Sequence, residues 1–134
     1  VSSDVWPVHR IALGALVRDG RVLLCHRRPD RSWFPDCWDL VGGHVEPGED
    51  PAATLVRECR EELGVEVARV EEWFRVRDAE VDGWCYVVQE WTGEPRNTAP
   101  EEHDRIAWVR PEELAGLRLA DAMYLPALTT LLRP

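Results

Sequence analysis

Residues 43–65 read GHVEPGEDPAATLVRECREELGV, and this run decides how the rest of the chain is read. Asp50 is a good N-cap and Pro51 suits a first helical position. Gly64 is a natural stop just past the helix. Between them Ala52, Leu55, Val56, Cys59 and Leu63 recur at helical spacing, so one stripe faces a core. Glu58, Glu61 and Glu62 stand at i, i+3 and i+4, which predicts three carboxylates on one face, away from that stripe. Each like-charged pair costs an isolated helix roughly 0.2–0.5 kcal/mol. Such a cluster beside Gly-rich backbone calls for a cation, and hard oxygen donors suit Mg²⁺ or Mn²⁺ better than zinc. An isolated E-x-x-E-E would more simply be a solvated acidic face.

The cluster is not isolated. Gly43, Glu49, Arg57, Glu58, Glu61, Glu62 and Gly64 resemble the Nudix box, G-x5-E-x7-R-E-U-x-E-E-x-G-U with U apolar, at every fixed position. Val65 fills the last apolar slot, and Cys59 fills the other as a small hydrophobe. Seven fixed matches arise by chance on the order of 10⁻⁸ per start position. The box covers only 23 residues, but the order of elements around it is also similar to the family.

Composition sets the frame. A chain of 134 residues supports one domain with a real core, here expected to span 1–134. A net charge of −9 argues against a protein that grips a nucleic-acid polymer. It does not argue against a small phosphorylated ligand, because bound cations reverse the local field. Cys25, Cys37, Cys59 and Cys85 are widely spaced with no C-x-x-C, so a disulfide or zinc scaffold is not expected, and a cytoplasmic setting is. No apolar run is long enough to span a membrane.

Along the chain, Val1–Val8 is a loose arm or an edge strand. Strands are expected over Arg10–Arg18 and Arg21–Arg27, joined by the hairpin signal Asp19-Gly20. Cys37–Val41 reads as a short strand entering Gly42-Gly43, and Val67–Arg77 as a long one. Val81–Gly83 reads as a turn, followed by strands Trp84–Trp91 and Arg105–Val109. Helices are expected at Pro111–Leu117 and Asp121–Leu132. The class is α/β, a mixed sheet with helices on both sides. The resemblance implies the Nudix α/β/α sandwich.

The resemblance also implies chemistry: cleavage of a diphosphate linked to another moiety, usually a nucleoside, with divalent metal and water. Glu61 and Glu62 then correspond to the principal metal ligands. Glu58 corresponds to a further ligand or the general base, and the Gly43 carbonyl to another ligand. Glu49 and Arg57 correspond to a structural pair folding the loop onto the helix. Glu102, in the segment EHDRIAW, resembles a downstream acid that binds metal or acts as base; Glu101 is its rival, and His103 is a loop residue or one that backs a ligand rather than a ligand itself. Arg27 and Arg28 follow the second strand as a basic pair does in MutT-like members, where one contacts phosphate. Asp121 falls where some such members read the base edge. Glu46 and His44 lie in the box loop, and Trp33, Trp38 and Trp84 are candidates for stacking on a base.

The first reading is a MutT-like, Mg²⁺- or Mn²⁺-dependent hydrolase of a nucleoside di- or triphosphate, acting as monomer or homodimer and releasing a monophosphate. W-T-G-E-P at Trp91–Pro95 supports it, and Val41, where MutT-like members commonly carry Pro, departs from it. Hydrolysis of ADP-ribose or dinucleoside polyphosphates is the alternative. A Pro usual in the former is absent around Ala79–Val81, and Tyr86 lies a few residues from the Tyr usual in the latter. A third reading is a catalytically silent nucleotide-sensing module, but such modules usually lose box glutamates, and all three are present.

Overall fold

A computed structural model describes residues 9–134; the expectation for Val1–Val8 lies outside them. β1 (His9–Arg18) runs into β2 (Arg21–Arg27) with Val17 opposite Val22. Asp19 and Gly20 both take positive φ, 54° and 73°, which is the primed turn that matches strand twist.

β1 is the hub. It pairs in parallel with β6 (Val81–Thr92), which pairs antiparallel with β5 (Glu66–Arg77). Its other edge takes β4 (Val41–His44) antiparallel. β2 carries β3 (Trp38–Asp39) and β7 (His103–Val109), both antiparallel. The strand expected over Cys37–Val41 is therefore two. The chain leaves β2 after Asp39 and joins β1 at Val41, and the Asp39 carboxylate accepts the Leu40 N–H at the break (2.8 Å).

Both faces of β1 and β2 are covered, so each strand is apolar in both registers. On one face Ala12, Leu16 and Leu23 meet Leu55, Cys59 and Leu63 of α1 (Pro51–Leu63). On the other, Leu13, Ala15, Val22 and Leu24 meet Leu114, Tyr124 and Leu128. Each such fully buried leucine is worth about 1.5–3 kcal/mol. α1 begins where the Asp50 carboxylate accepts the Ala52 N–H and stops at Gly64, with φ 69°. It presses on β1 at Gly14, where a Cβ would lie 2.7 Å from a Leu55 methyl.

Three expectations need correcting. Val81–Gly83 is not a turn but the start of β6. The reversal comes earlier, where the Asp78 carboxylate accepts the N–H groups of Glu80 and Val81, both at 2.8 Å. Gly83 instead fits a packed strand position, where a Cβ would lie 3.3 Å from Ile11. Pro111–Gly116 is a 3₁₀ helix, a form suited to so short a run. The last helix, α2, is Tyr124–Leu131, three residues shorter at its start than expected. There Asp121 makes a turn, its carboxylate accepting the Met123 N–H and its carbonyl the Tyr124 N–H. No helix among the described residues is long and apolar enough to cross a membrane.

Candidate active site

One cleft gathers residues from across the chain. Its walls include Arg27 from β2, Arg31, Trp33 and Phe34 from the following loop, and Gly42, Gly43 and His44 from β4. Arg57, Glu58 and Glu62 of α1, Glu102 and His103 at the start of β7, and Asp39, Asp121 and Tyr124 complete it.

Three of its acids converge. Glu58, Glu62 and Glu102 each bring an oxygen to within 4.8 Å of the others. The expectation that the α1 acids point away from the core holds only for exposed Glu61. Glu58 and Glu62 are 9 % and 4 % exposed. One helical turn apart, they flank the apolar stripe rather than oppose it. Burial, then the hydrogen bond and charge of Glu62, push the Glu58 carboxyl up to about 8. Burial, with the charges of Glu102 and Asp39, pushes Glu62 up to about 7, against the hydrogen bonds it accepts from Glu58 and Gly42. Gly43 makes the enclosure possible: a Cβ there would collide with the Glu58 carboxylate.

Arg57 organises the rim. It grips Glu49 with two bonds, Nε to Oε2 at 2.9 Å and Nη2 to Oε1 at 3.1 Å, and donates to the His44 carbonyl at 3.1 Å. The same guanidinium reaches Glu58 at 3.0 Å and Glu61 at 3.3 Å. Glu49 also accepts from Thr54 (2.6 Å) and the Glu46 N–H, and Arg57 and these donors hold its carboxyl at about 2. The box loop is thereby tied to the helix on which the acids stand.

The residues fit a divalent cation. Two buried like charges and a third half-exposed carboxylate converge beside backbone that glycine keeps bare, and Arg57 touches only Glu58 of the three. His103 adds a second sign. It is 4 % exposed, neither ring nitrogen has a hydrogen-bond partner, and Nε2 lies 3.4 Å from a Glu62 oxygen. Burial holds its imidazole below the ordinary value.

A second pair of acids, Asp39 and Asp121, lines the same cleft. Asp39 accepts from the Tyr124 hydroxyl at 2.7 Å, and burial raises its carboxyl. Asp121 lines the same floor, carried there because residues 118–120 run beside β3: Trp38 donates to the Arg118 carbonyl and Ala120 to the Trp38 carbonyl, both at 2.8 Å.

The expected residues divide accordingly. Gly43, Glu58, Glu62, Glu102, Arg27, Arg57, Asp121, Glu46, His44 and Trp33 line the cleft; Glu61, Glu49, Arg28, Glu101, Trp38 and Trp84 do not. Arg28 pairs with Asp30 (3.0 Å), and Trp38 packs edge-on to His26. Trp84 lies beneath Arg10 and Arg75. Arg27 spends its guanidinium on the carbonyls of Trp33 and Phe34, both at 2.8 Å. Sequence reasoning missed Asp39, Arg31 and Phe34; His103, expected as a loop residue or one that backs a ligand, stands at the start of β7 beside Glu62. Arg31 is 3.7 Å from the Glu102 carboxylate. An acid inside an otherwise apolar strand, one residue before Leu40-Val41-Gly42-Gly43, was the available signal for Asp39.

Comparison with known proteins agrees with this geometry. The family model of the NUDIX domain matches residues 8–128. The chain is 36 % identical over 114 residues to the CTP pyrophosphohydrolase of Escherichia coli K12, covering 84 % of this chain and 83 % of that one. It is 37 % identical over 120 residues to the nucleoside triphosphatase NudI of Enterobacter sp. strain 638, covering 80 % and 85 %. Among solved structures, the MutT NUDIX hydrolase from Burkholderia pseudomallei superposes with a TM-score of 0.79 at 32 % identity, covering 90 % of this chain and 95 % of that one. With the box on α1, the sheet order and these relatives in agreement, the chain belongs to the Nudix family and is a MutT-like Nudix hydrolase.

Proposed function

We propose that this chain hydrolyses a nucleoside triphosphate to the monophosphate and pyrophosphate, using Mg²⁺ or Mn²⁺. The observation that carries the reading is one cleft lined by the converging carboxylates of Glu58, Glu62 and Glu102 and by a second pair of acids, Asp39 and Asp121. Relatives named as a CTP pyrophosphohydrolase and a nucleoside triphosphatase support the substrate class.

Glu58, Glu62 and the Gly43 carbonyl would hold the cation, and Glu61 would join them by turning in from the exposed edge where Arg57 holds it. Once bound, the ion supplies charge withdrawal from the phosphate oxygens and eases departure of the leaving phosphate. The chain's residues do the rest. Glu102 is the accessible acid, 40 % exposed at its side chain, and takes the proton of the attacking water. Arg31, beside it, faces the phosphate chain. Arg27 serves from a distance, by fixing the 28–36 loop. Asp39 and Asp121 offer acceptors to a base edge that carries an exocyclic amino group.

A panel of nucleoside triphosphates with Mg²⁺ or Mn²⁺, assayed for pyrophosphate and monophosphate, tests this. Pyrophosphate release is expected, greatest for an amino-bearing base. No release from any member of the panel would reject the proposal.

A further inference from the structure

Phe34 sits in the cleft wall in a conformation that bulky residues avoid. Its φ is 51°, in the left-handed region, and its ring is 41 % exposed. The surroundings hold it there. Its carbonyl accepts from Arg27 Nε at 2.8 Å and from the Cys37 thiol at 3.3 Å, and the neighbouring Trp33 carbonyl accepts from Arg27 Nη2. Strain maintained by this many contacts around a cleft is a mark of function.

The ring also has something behind it. Trp33 meets Phe34 edge to face, centroids 4.9 Å apart at 77°, and His9 stacks flat on Trp33 at 3.9 Å. Trp33 also has the Arg27 guanidinium over its ring, 5.7 Å from the centroid. Both rings line the cleft, and Phe34 is the more exposed of the two. The same cleft is lined by the acceptors Asp39 and Asp121, which can read the edge of a planar group but not its face.

We infer that Phe34 is the ring on which the substrate's base stacks, and that the loop accepts a strained backbone to present it. The inference rests on the nucleotide reading above. An aromatic face is tolerant of base identity, so Phe34 supplies affinity and the acid floor supplies choice.

Calorimetry on catalytically quiet Glu62→Gln protein tests it, with a nucleoside triphosphate and inorganic tripolyphosphate as paired probes in the presence of Mg²⁺. Phe34→Ala should weaken the nucleotide by at least ~5-fold, the weak end of base stacking on aromatic side chains, and leave tripolyphosphate unchanged. Phe34→Trp should retain nucleotide binding. Phe34→Gly should raise Tm, because glycine accepts the positive φ, while binding nucleotide as poorly as Phe34→Ala. A ring that served only packing would lower Tm in Phe34→Gly, and that result overturns the inference. Equal weakening of both probes, or none, also overturns it. Tripolyphosphate binding without any nucleotide preference in the Glu62→Gln parent would bring down the nucleotide reading as well.

Discussion

Raising the pH from about 6.5 to about 8.5 should destabilise the metal-free protein, and Glu58 sets the size of the effect. Its folded-state value, about 8, lies above the ordinary 4.5, and that of Glu62 lies at about 7. Between the unfolded and folded values the native state holds more protons than the unfolded chain, so stability falls as pH rises. His44 and His103 are held below their ordinary value and the four buried thiols above theirs; near the two ends of the window these contribute with opposite signs, roughly a few tenths of a kcal/mol each, so the two acids dominate the slope. At about 1.4 kcal/mol per pH unit and proton, Glu58 forfeits roughly 2 kcal/mol across the window and Glu62 somewhat under 1. Against a typical total of roughly 5–15 kcal/mol, that is a visible share. Urea denaturation in chelator at intervals across the window measures it. Glu58→Gln, neutral and nearly isosteric, should flatten most of the slope. Saturating Mg²⁺ should flatten it too, by favouring the ionised pair. Stability that is constant or rises with pH in chelator, or a Glu58→Gln protein with the original slope, would refute the account of two buried acids sharing one enclosure.

Three further outcomes follow from the geometry. Glu62→Gln should lower kcat by about 100-fold or more with the circular dichroism spectrum unchanged, and Glu61→Gln should do the same from the exposed edge; steady-state pyrophosphate release decides both. Gly43→Ala should push the Glu58 carboxylate off its place and weaken Mn²⁺ binding, read by paramagnetic water relaxation, while the far-UV spectrum stays native. Arg57→Lys loses the fork on Glu49 and the bond to the His44 carbonyl, so amide exchange at 44–50 should quicken while the core strands keep their protection.

The box was legible because its information is local. Cap, stop, apolar stripe and acid spacing all lie within one helix and the loop before it, and α1 runs from Pro51 to Leu63 between Asp50 and Gly64. The hairpin at Asp19-Gly20 was legible for the same reason. The other half of the cleft was not, since Asp39, Arg31 and Phe34 become site residues only when β3, the 28–36 loop and residues 118–121 converge. Burial of Glu58 and Glu62 was likewise out of reach. Helical spacing puts them beside Glu61, but only the approach of Gly42-Gly43 and β7 shows which of the acids is enclosed. At Asp82-Gly83 a turn-forming dipeptide misled, because the side chain of Asp78 had already reversed the chain.

The partner change at Leu40 reaches beyond topology. Asp39 takes its alignment from Cys25 on β2, and Gly43, four residues on, takes its alignment from Ala12 on β1. Two neighbouring stretches thus answer to different templates. On the proposed reading, alterations around 38–39 and 121 would retune which molecule is welcomed without shifting the scaffold that carries the box. A lineage descending from such an arrangement is free to diversify its diet while its tooling stays put.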